Sequence, residues 1–336
     1  MAPPAPISSP PHPGRGDGVG SPLLEVTDLS VRFGRLQAVS GVSFAVRPGE
    51  FLGIVGESGS GKSVTARALL GLLPASAHVS GSVRFRSEEL LGASERRLRA
   101  IRGGAIGMVF QDALAALDPV YTVGDQLVEA LLAHRRMPRA KARARAAELL
   151  DEVGIPRPVE HLDRYPHQLS GGMRQRVVIA SALIADPDLV VADEPTTALD
   201  VTVQRQILDL LADICERRGT AVVLITHDMA VVAETCDRVA VFYGGLIVEE
   251  SPVTPLFEQP LHPYTRALLR SLPRLGDPSP FEAIPGNPIR VLDDLDACPF
   301  APRCAQAAAQ CRAGVPDQRE VDGRRHRCVR AEVSPP

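Results

Sequence analysis
Apolar and polar positions alternate closely near the start of the chain. Leu24-Glu25-Val26 and Ser30-Val31-Arg32-Phe33 are followed by Ala38-Val39 and Val42-Ser43-Phe44, with turn residues at Gly34, Gly41 and Pro48-Gly49. A period of two between such turns predicts an antiparallel β-region from Leu23 to about Ser43. Phe51 to Val55 is an unbroken apolar run that ends at glycine, the pattern of a strand buried on both faces. Ala66, Leu69, Leu70 and Leu73 then recur at helical spacing and stop before Pro74.

From about Asp112 to Arg164 the pattern is mostly helical. Gln126 to Ala133 and Arg139 to Val153 carry apolar residues at i, i+3 and i+4, and the charge run from Arg135 to Arg145 predicts a solvated helix face. Next come a helix from about Gly172, a strand over Leu189 to Ala192, a helix over Val201 to Arg217 and a strand over Ala221 to Ile225. Strands alternating with helices imply an α/β fold whose sheet is mostly parallel and covered on both faces. Beyond Val248 proline, arginine and cysteine accumulate, which sets a domain boundary near Glu250 to Pro255.

Composition narrows the picture. The 336 residues suffice for one large domain with an appendage or two modest domains, and an apolar fraction of 45% can build a core. A net charge of −3 gives no reason to expect non-specific nucleic-acid binding. No stretch approaches eighteen consecutive apolar residues, so no membrane-spanning helix is expected. The first 22 residues hold seven prolines and no apolar core segment, which reads as a disordered leader and not a signal peptide. A cytoplasmic protein is expected.

Gly56-Glu57-Ser58-Gly59-Ser60-Gly61-Lys62-Ser63 matches the Walker A pattern between a predicted strand and a predicted helix. Its glycines let successive N–H groups face the β- and γ-phosphates, Lys62 neutralises phosphate charge, and the Ser63 hydroxyl ligates Mg²⁺. Only Lys62 and Lys141 are lysines among 37 basic residues. In so arginine-rich a chain, a lysine here fits a place that needs a compact ammonium and not a fork. The loop alone would allow any P-loop NTPase. Downstream, Leu189 to Ala192 delivers Asp193 and Glu194 at a strand's C-terminal end, where ligands bind in open α/β sheets. Ser170-Gly171-Gly172 offers a hydroxyl and open N–H groups at a helix start.

In this order, and with Leu169 before Ser170, these motifs resemble the nucleotide-binding subunit of an ABC transporter across residues 23–250. The resemblance implies a P-loop NTPase fold of the ABC type over 23–253, with an antiparallel β subdomain, a mostly parallel core sheet and a helical subdomain at about 112–170. It implies that ATP with Mg²⁺ is sandwiched between two such subunits. Ser170, Gly171 and Gly172 would then grip the γ-phosphate held by the opposing chain. Asp193 and Gln111 would serve Mg²⁺, Glu194 would act as general base, and His227 would contact the γ-phosphate. Phe33 would stack on adenine, and Asp200 would close the segment Pro195-Thr196-Thr197-Ala198-Leu199-Asp200 that matches the family's D-loop. Met173 stands where Gln is usual, a variant familiar in the peptide-importer branch.

Pro260-Leu261-His262-Pro263-Tyr264-Thr265 and Ile284-Pro285-Gly286-Asn287-Pro288 resemble the C-terminal extension of oligopeptide and dipeptide importer ATPases, here 254–336. Cys298, Cys304, Cys311 and Cys328 follow, separated by five, six and sixteen residues. Clustered cysteines in a reducing compartment argue for a metal over disulfides, yet none of the tight pairs usual for zinc occurs. The resemblance favours a [4Fe–4S] cluster on all four thiolates. Zinc with His326 as a substitute ligand, or a metal-free tail, stay open, while Cys215 and Cys236 read as small buried hydrophobes. The partners implied are a second and different ATPase subunit, two transmembrane permease subunits at whose cytoplasmic face the chain would sit, and indirectly a solute-binding protein. Nickel or another small solute is the alternative cargo. A non-transport ABC ATPase, or a nucleotide binder without turnover, is the alternative class.

Overall fold
The computed structural model describes residues 21–196, 200–272, 283–289 and 295–331. Most of the expected leader, and Thr197, Ala198 and Leu199 of the D-loop segment, lie outside the described residues. The strands are β1 (Leu24–Phe33), β2 (Leu36–Val46), β3 (Phe51–Val55), β4 (Ala77–Phe85), β5 (Glu88–Glu89) and β6 (Ile106–Val109). They continue as β7 (Leu189–Asp193), β8 (Ala221–Ile225), β9 (Arg238–Tyr243), β10 (Leu246–Pro252), β11 (Arg319–Val321) and β12 (Arg324–His326).

Two sheets result. The first is antiparallel in the order β2-β1-β4-β5. The second has the order β11-β12-β10-β9-β3-β8-β7-β6, parallel from β9 to β6 and antiparallel beyond β9. The five residues of each of β3, β7 and β8 are all buried, as their unbroken apolar runs require. The pleat divides most of them between two cores, while Val55 joins a third. Leu52, Ile54, Val191 and Val223 pack with helix Lys62–Leu69 and the antiparallel sheet. Phe51, Val190, Val222 and Leu224 pack with the helical segment.

The helical segment consists of Ala113–Ala116, Val123–Leu132, Arg139–Glu152, Pro158–His161 and Gly171–Leu183. Thr122 starts the second of these, its hydroxyl accepting the Asp125 N–H at 3.1 Å. The arginine run is not simply a solvated face. Arg139 pairs with Asp125, Arg143 with Asp163 and Arg145 with Asp186, so the run ties its helix to three neighbouring segments. Half-exposed pairs of this kind contribute roughly 0–1 kcal/mol each and act mainly to fix orientation.

The C-terminal extension is fused to the main sheet. Glu249 and Glu250 of β10 pair with His326 and Arg325 of β12, and Tyr243, Val241 and Val248 share a third core with Tyr264, Phe300, Cys298 and Cys311. The buried Glu249 carboxylate accepts the N–H groups of Leu261 and His262, both at 2.8 Å. This anchors the Pro260–Thr265 segment to the sheet.

Candidate nucleotide site
The phosphate loop leaves the C-terminal end of β3 and enters helix Lys62–Leu69, so its N–H groups and the helix dipole converge on one point. Two loop glycines are required sterically. A Cβ on Gly56 (φ 150°) would lie 2.2 Å from the Phe242 carbonyl oxygen, and one on Gly61 (φ 105°) 2.5 Å from that of Ala38. The Lys62 ammonium is buried and donates to the Gly56 and Glu57 carbonyls at 2.8 and 2.9 Å. Burial lowers its pKa, while Glu194, Asp193 and Glu57 oppose that shift.

The carboxylates arrive from β7, next to β8 and one strand away from β3. Ser63 donates its hydroxyl to Asp193 Oδ1 at 2.7 Å, which unites two of the three residues expected to serve Mg²⁺; the third, Gln111, is hydrogen-bonded to Glu194 instead. Burial raises the Asp193 pKa, partly offset by that hydrogen bond. Glu194 has left-handed backbone geometry (φ 46°), unusual for a residue with a side chain. Its Oε2 accepts from Gln111 Nε2 at 3.0 Å and lies 3.9 Å from His227 Nδ1. Gln111 follows β6 and His227 follows β8, so three strand ends bring the three expected catalytic residues together.

These groups open on one cavity of about 820 Å³. Gly56, Ser58, Gly59, Gly61, Lys62, Ser63, Gln111, Glu194 and His227 line it, and Phe33 stands at its wall with Leu36. Glu57 and Ser60 do not line it, since the Glu57 carboxylate is turned to Arg303 and Ser60 is buried. Nor do Ser170, Gly171, Gly172 or Asp200. Ser170 caps helix Gly171–Leu183 by accepting the Met173 N–H at 3.3 Å, and Asp200 caps Val201–Arg218 by accepting the Val203 N–H at 3.0 Å. Asp200 therefore has a helix-capping role within its own chain. The sequence reading missed Gly244, Gly245 and Ile289 as lining residues. Two adjacent glycines between apolar runs are a hairpin signal that could have found the first two. Nothing in the spacing points to Ile289.

A phosphate loop, a strand-end carboxylate and a helix-capping serine outside their shared cavity are the arrangement expected of a cassette. Family comparison agrees. The ABC transporter model matches residues 39–197, and the model of the oligopeptide/dipeptide transporter C-terminal region matches residues 248–311. A probable peptide ABC transporter ATP-binding protein of Sinorhizobium fredii is 51% identical over 307 residues, covering 89% of this chain and 92% of that protein. The chain belongs to the ABC transporter ATP-binding family. The dipeptide transport ATP-binding protein DppD of Bacillus subtilis is 49% identical, over 88% of this chain and 90% of DppD. Among solved structures, the dimeric cassette MJ0796 in a post-hydrolysis state with ADP and phosphate superposes with a TM-score of 0.61 at 30% identity. It covers 68% of this chain and 98% of its own.

The four extension cysteines are among the residues that line one small space, with His262, Phe300 and Ala301. The Arg330 N–H donates to Cys328 Sγ at 3.3 Å. Burial raises the thiol pKa values of Cys298, Cys304 and Cys328. Among the described residues, however, no three or more His, Cys, Asp or Glu side chains are grouped to hold a metal ion. The ligand arrangement therefore does not carry the iron–sulfur expectation, although the donor set suits it. His326 is tied to the backbone instead, its Nδ1 accepting the Cys328 N–H at 3.3 Å. Cys215 is a core residue, and Cys236 packs against Gly53, as small hydrophobes do. No helix among the described residues is long and apolar enough to cross a membrane.

Proposed function
We propose that this chain is the ATP-hydrolysing subunit of an importer for short peptides, built as a cassette over 23–253 and an extension over 254–336. One observation carries the reading. The chain assembles Lys62, Ser63, Glu194, Gln111 and His227 around one cavity, with Asp193 buried behind it on the Ser63 hydroxyl, while Ser170, Gly171 and Gly172 of the same chain do not line it. Each site therefore needs those residues from a second cassette, and a different chain of the same family is the partner we favour. Relatives named for peptide, dipeptide and oligopeptide transport support the cargo.

In such a site the loop N–H groups and Lys62 bind the β- and γ-phosphates, and Phe33 meets the adenine. Ser63 and Asp193 would hold Mg²⁺, which offsets phosphate charge when bound. Glu194 takes the proton of the attacking water, Gln111 orients that carboxylate, and His227 stands beside it to meet the γ-phosphate. Gripping ATP from both sides closes the pair, and hydrolysis releases it. Phe110, next to Gln111, is exposed and borders a groove of about 300 Å³ with Leu72, Met108, Leu117 and His134. That apolar groove suits a helix of a transmembrane permease, which would hold the chain at the cytoplasmic face of the membrane. A [4Fe–4S] cluster rests on the donor set alone: holding it would require the four thiols to draw closer together than they stand in this structure.

The test is co-expression with peptide-importer permease subunits. Peptide-stimulated ATP hydrolysis in vesicles is expected, with iron and sulfide bound to the chain. Stimulation by nickel alone would replace the cargo, and one zinc without sulfide would replace the cluster.

A further inference from the structure
The extension reaches the phosphate loop itself. Arg303 ends the turn Ala301–Arg303, its side chain is 6% exposed, and its Nη1 and Nη2 donate to the two Glu57 carboxylate oxygens at 2.6 and 3.0 Å. The remaining donors are also engaged. Nη1 reaches the Tyr243 hydroxyl at 3.1 Å, Nε the Pro285 carbonyl at 2.7 Å and Nη2 the Ile284 carbonyl at 3.2 Å. Glu57 is held at its backbone as well, since its N–H donates to the Tyr264 hydroxyl at 2.9 Å. Its carbonyl accepts from Lys62 Nζ. The second residue of the phosphate loop is thus gripped at side chain and main chain by groups from beyond the cassette.

Two consequences follow from charge and geometry. A two-pronged guanidinium–carboxylate pair fixes orientation as well as position. It also neutralises a carboxylate that would otherwise stand in a loop built to receive polyphosphate, and turns it out of the cavity. We propose that Arg303 is a positioning residue of the nucleotide site, holding the phosphate loop through Glu57 so that ATP affinity depends on the extension. This rests on the ATP-binding reading above.

The experiment measures ATP binding and steady-state hydrolysis with the full chain. Arg303→Ala should raise Kd and KM for ATP by roughly ten- to a hundredfold, the range for losing a charged hydrogen-bonded pair. kcat at saturating ATP should hold, because binding is lost equally in ground and transition states. Adding Glu57→Gln to Arg303→Ala should recover part of the affinity by removing the freed charge, and Arg303→Lys should fall between wild type and alanine. ATP affinity in Arg303→Ala within twofold of wild type would overturn the proposal. So would an equal loss in the presence of Glu57→Gln. If Arg303→Ala does not fold, Arg303→Lys must show the KM shift alone, or the proposal fails. A wild-type chain that binds no ATP would refute the nucleotide reading instead.

Discussion

Replacing Glu194 by Gln isolates the charge proposed to take the proton of the attacking water. The change keeps the volume of the side chain and its left-handed backbone (φ 46°), so the loop geometry should persist. Gln111 can still donate to the remaining carbonyl oxygen, as it now does to Oε2 at 3.0 Å. What disappears is the group able to accept a proton from water. Loss of a positioned general base costs roughly 10²–10⁴-fold, or about 2.7–5.5 kcal/mol of transition-state stabilisation. ATP binding should tighten, because one of the acidic side chains beside Lys62 is removed from a site that receives polyphosphate. A companion Glu194→Gly change sharpens the reading. Glycine relieves a left-handed position that costs an ordinary residue roughly 1–2 kcal/mol, so that variant should melt no lower than wild type while remaining inactive. The assay is phosphate release at saturating ATP beside equilibrium ATP binding. Hydrolysis by Glu194→Gln within tenfold of wild type would refute the assignment of Glu194 as the base.

Two further outcomes follow from the geometry. Gly61→Ala should abolish measurable ATP binding, since its Cβ would meet the Ala38 carbonyl oxygen at 2.5 Å in a backbone conformation alanine resists; retained binding by calorimetry would contradict the close approach. Burial holds the His262 pKa down, lowered to about 3, with His326 and Arg266 adding to the effect. The unfolded chain therefore binds a proton at this residue that the folded chain does not between about pH 6.5 and 3, so stability is full above that window and falls as pH drops through it. The slope contributed is at most about 1.4 kcal/mol per pH unit. Thermal melts from pH 7.5 to 5 should show a smaller fall for His262→Asn than for wild type, and parallel curves would remove His262 as the cause.

Local chemistry made most of the site legible. Gly56 to Ser63, Asp193, Glu194, Gln111 and His227 all lie at the ends of short buried strands, where periodicity and residue type agree. The antiparallel strand β4 is hard to read because Ser80, Gly81 and Ser82 interrupt its alternation between the half-buried Ala77 and Val79 and the buried Val83 and Phe85. The hairpin of β9 and β10 carried a legible signal in Gly244-Gly245 that went unused. Asp200 could be matched to a family motif, but its helix-capping bond emerges only once Val201–Arg218 exists. Arg303 and Glu57 are separated by 246 positions, and no spacing rule links an arginine in a cysteine-rich tail to a phosphate loop. The four cysteines were found by counting; the space they help to line depends on Phe300 and His262, which counting cannot supply.

Hydrolysis measured against chain concentration, for wild type and Ser170→Arg, tests the shared site most directly. Turnover per chain should climb as cassettes are added, whether more of this chain or a different cassette able to pair with it. Ser170→Arg should remove that rise while leaving ATP bound at its own Lys62. A strictly monomeric chain turning over at full rate, indifferent to the arginine, would contradict the account.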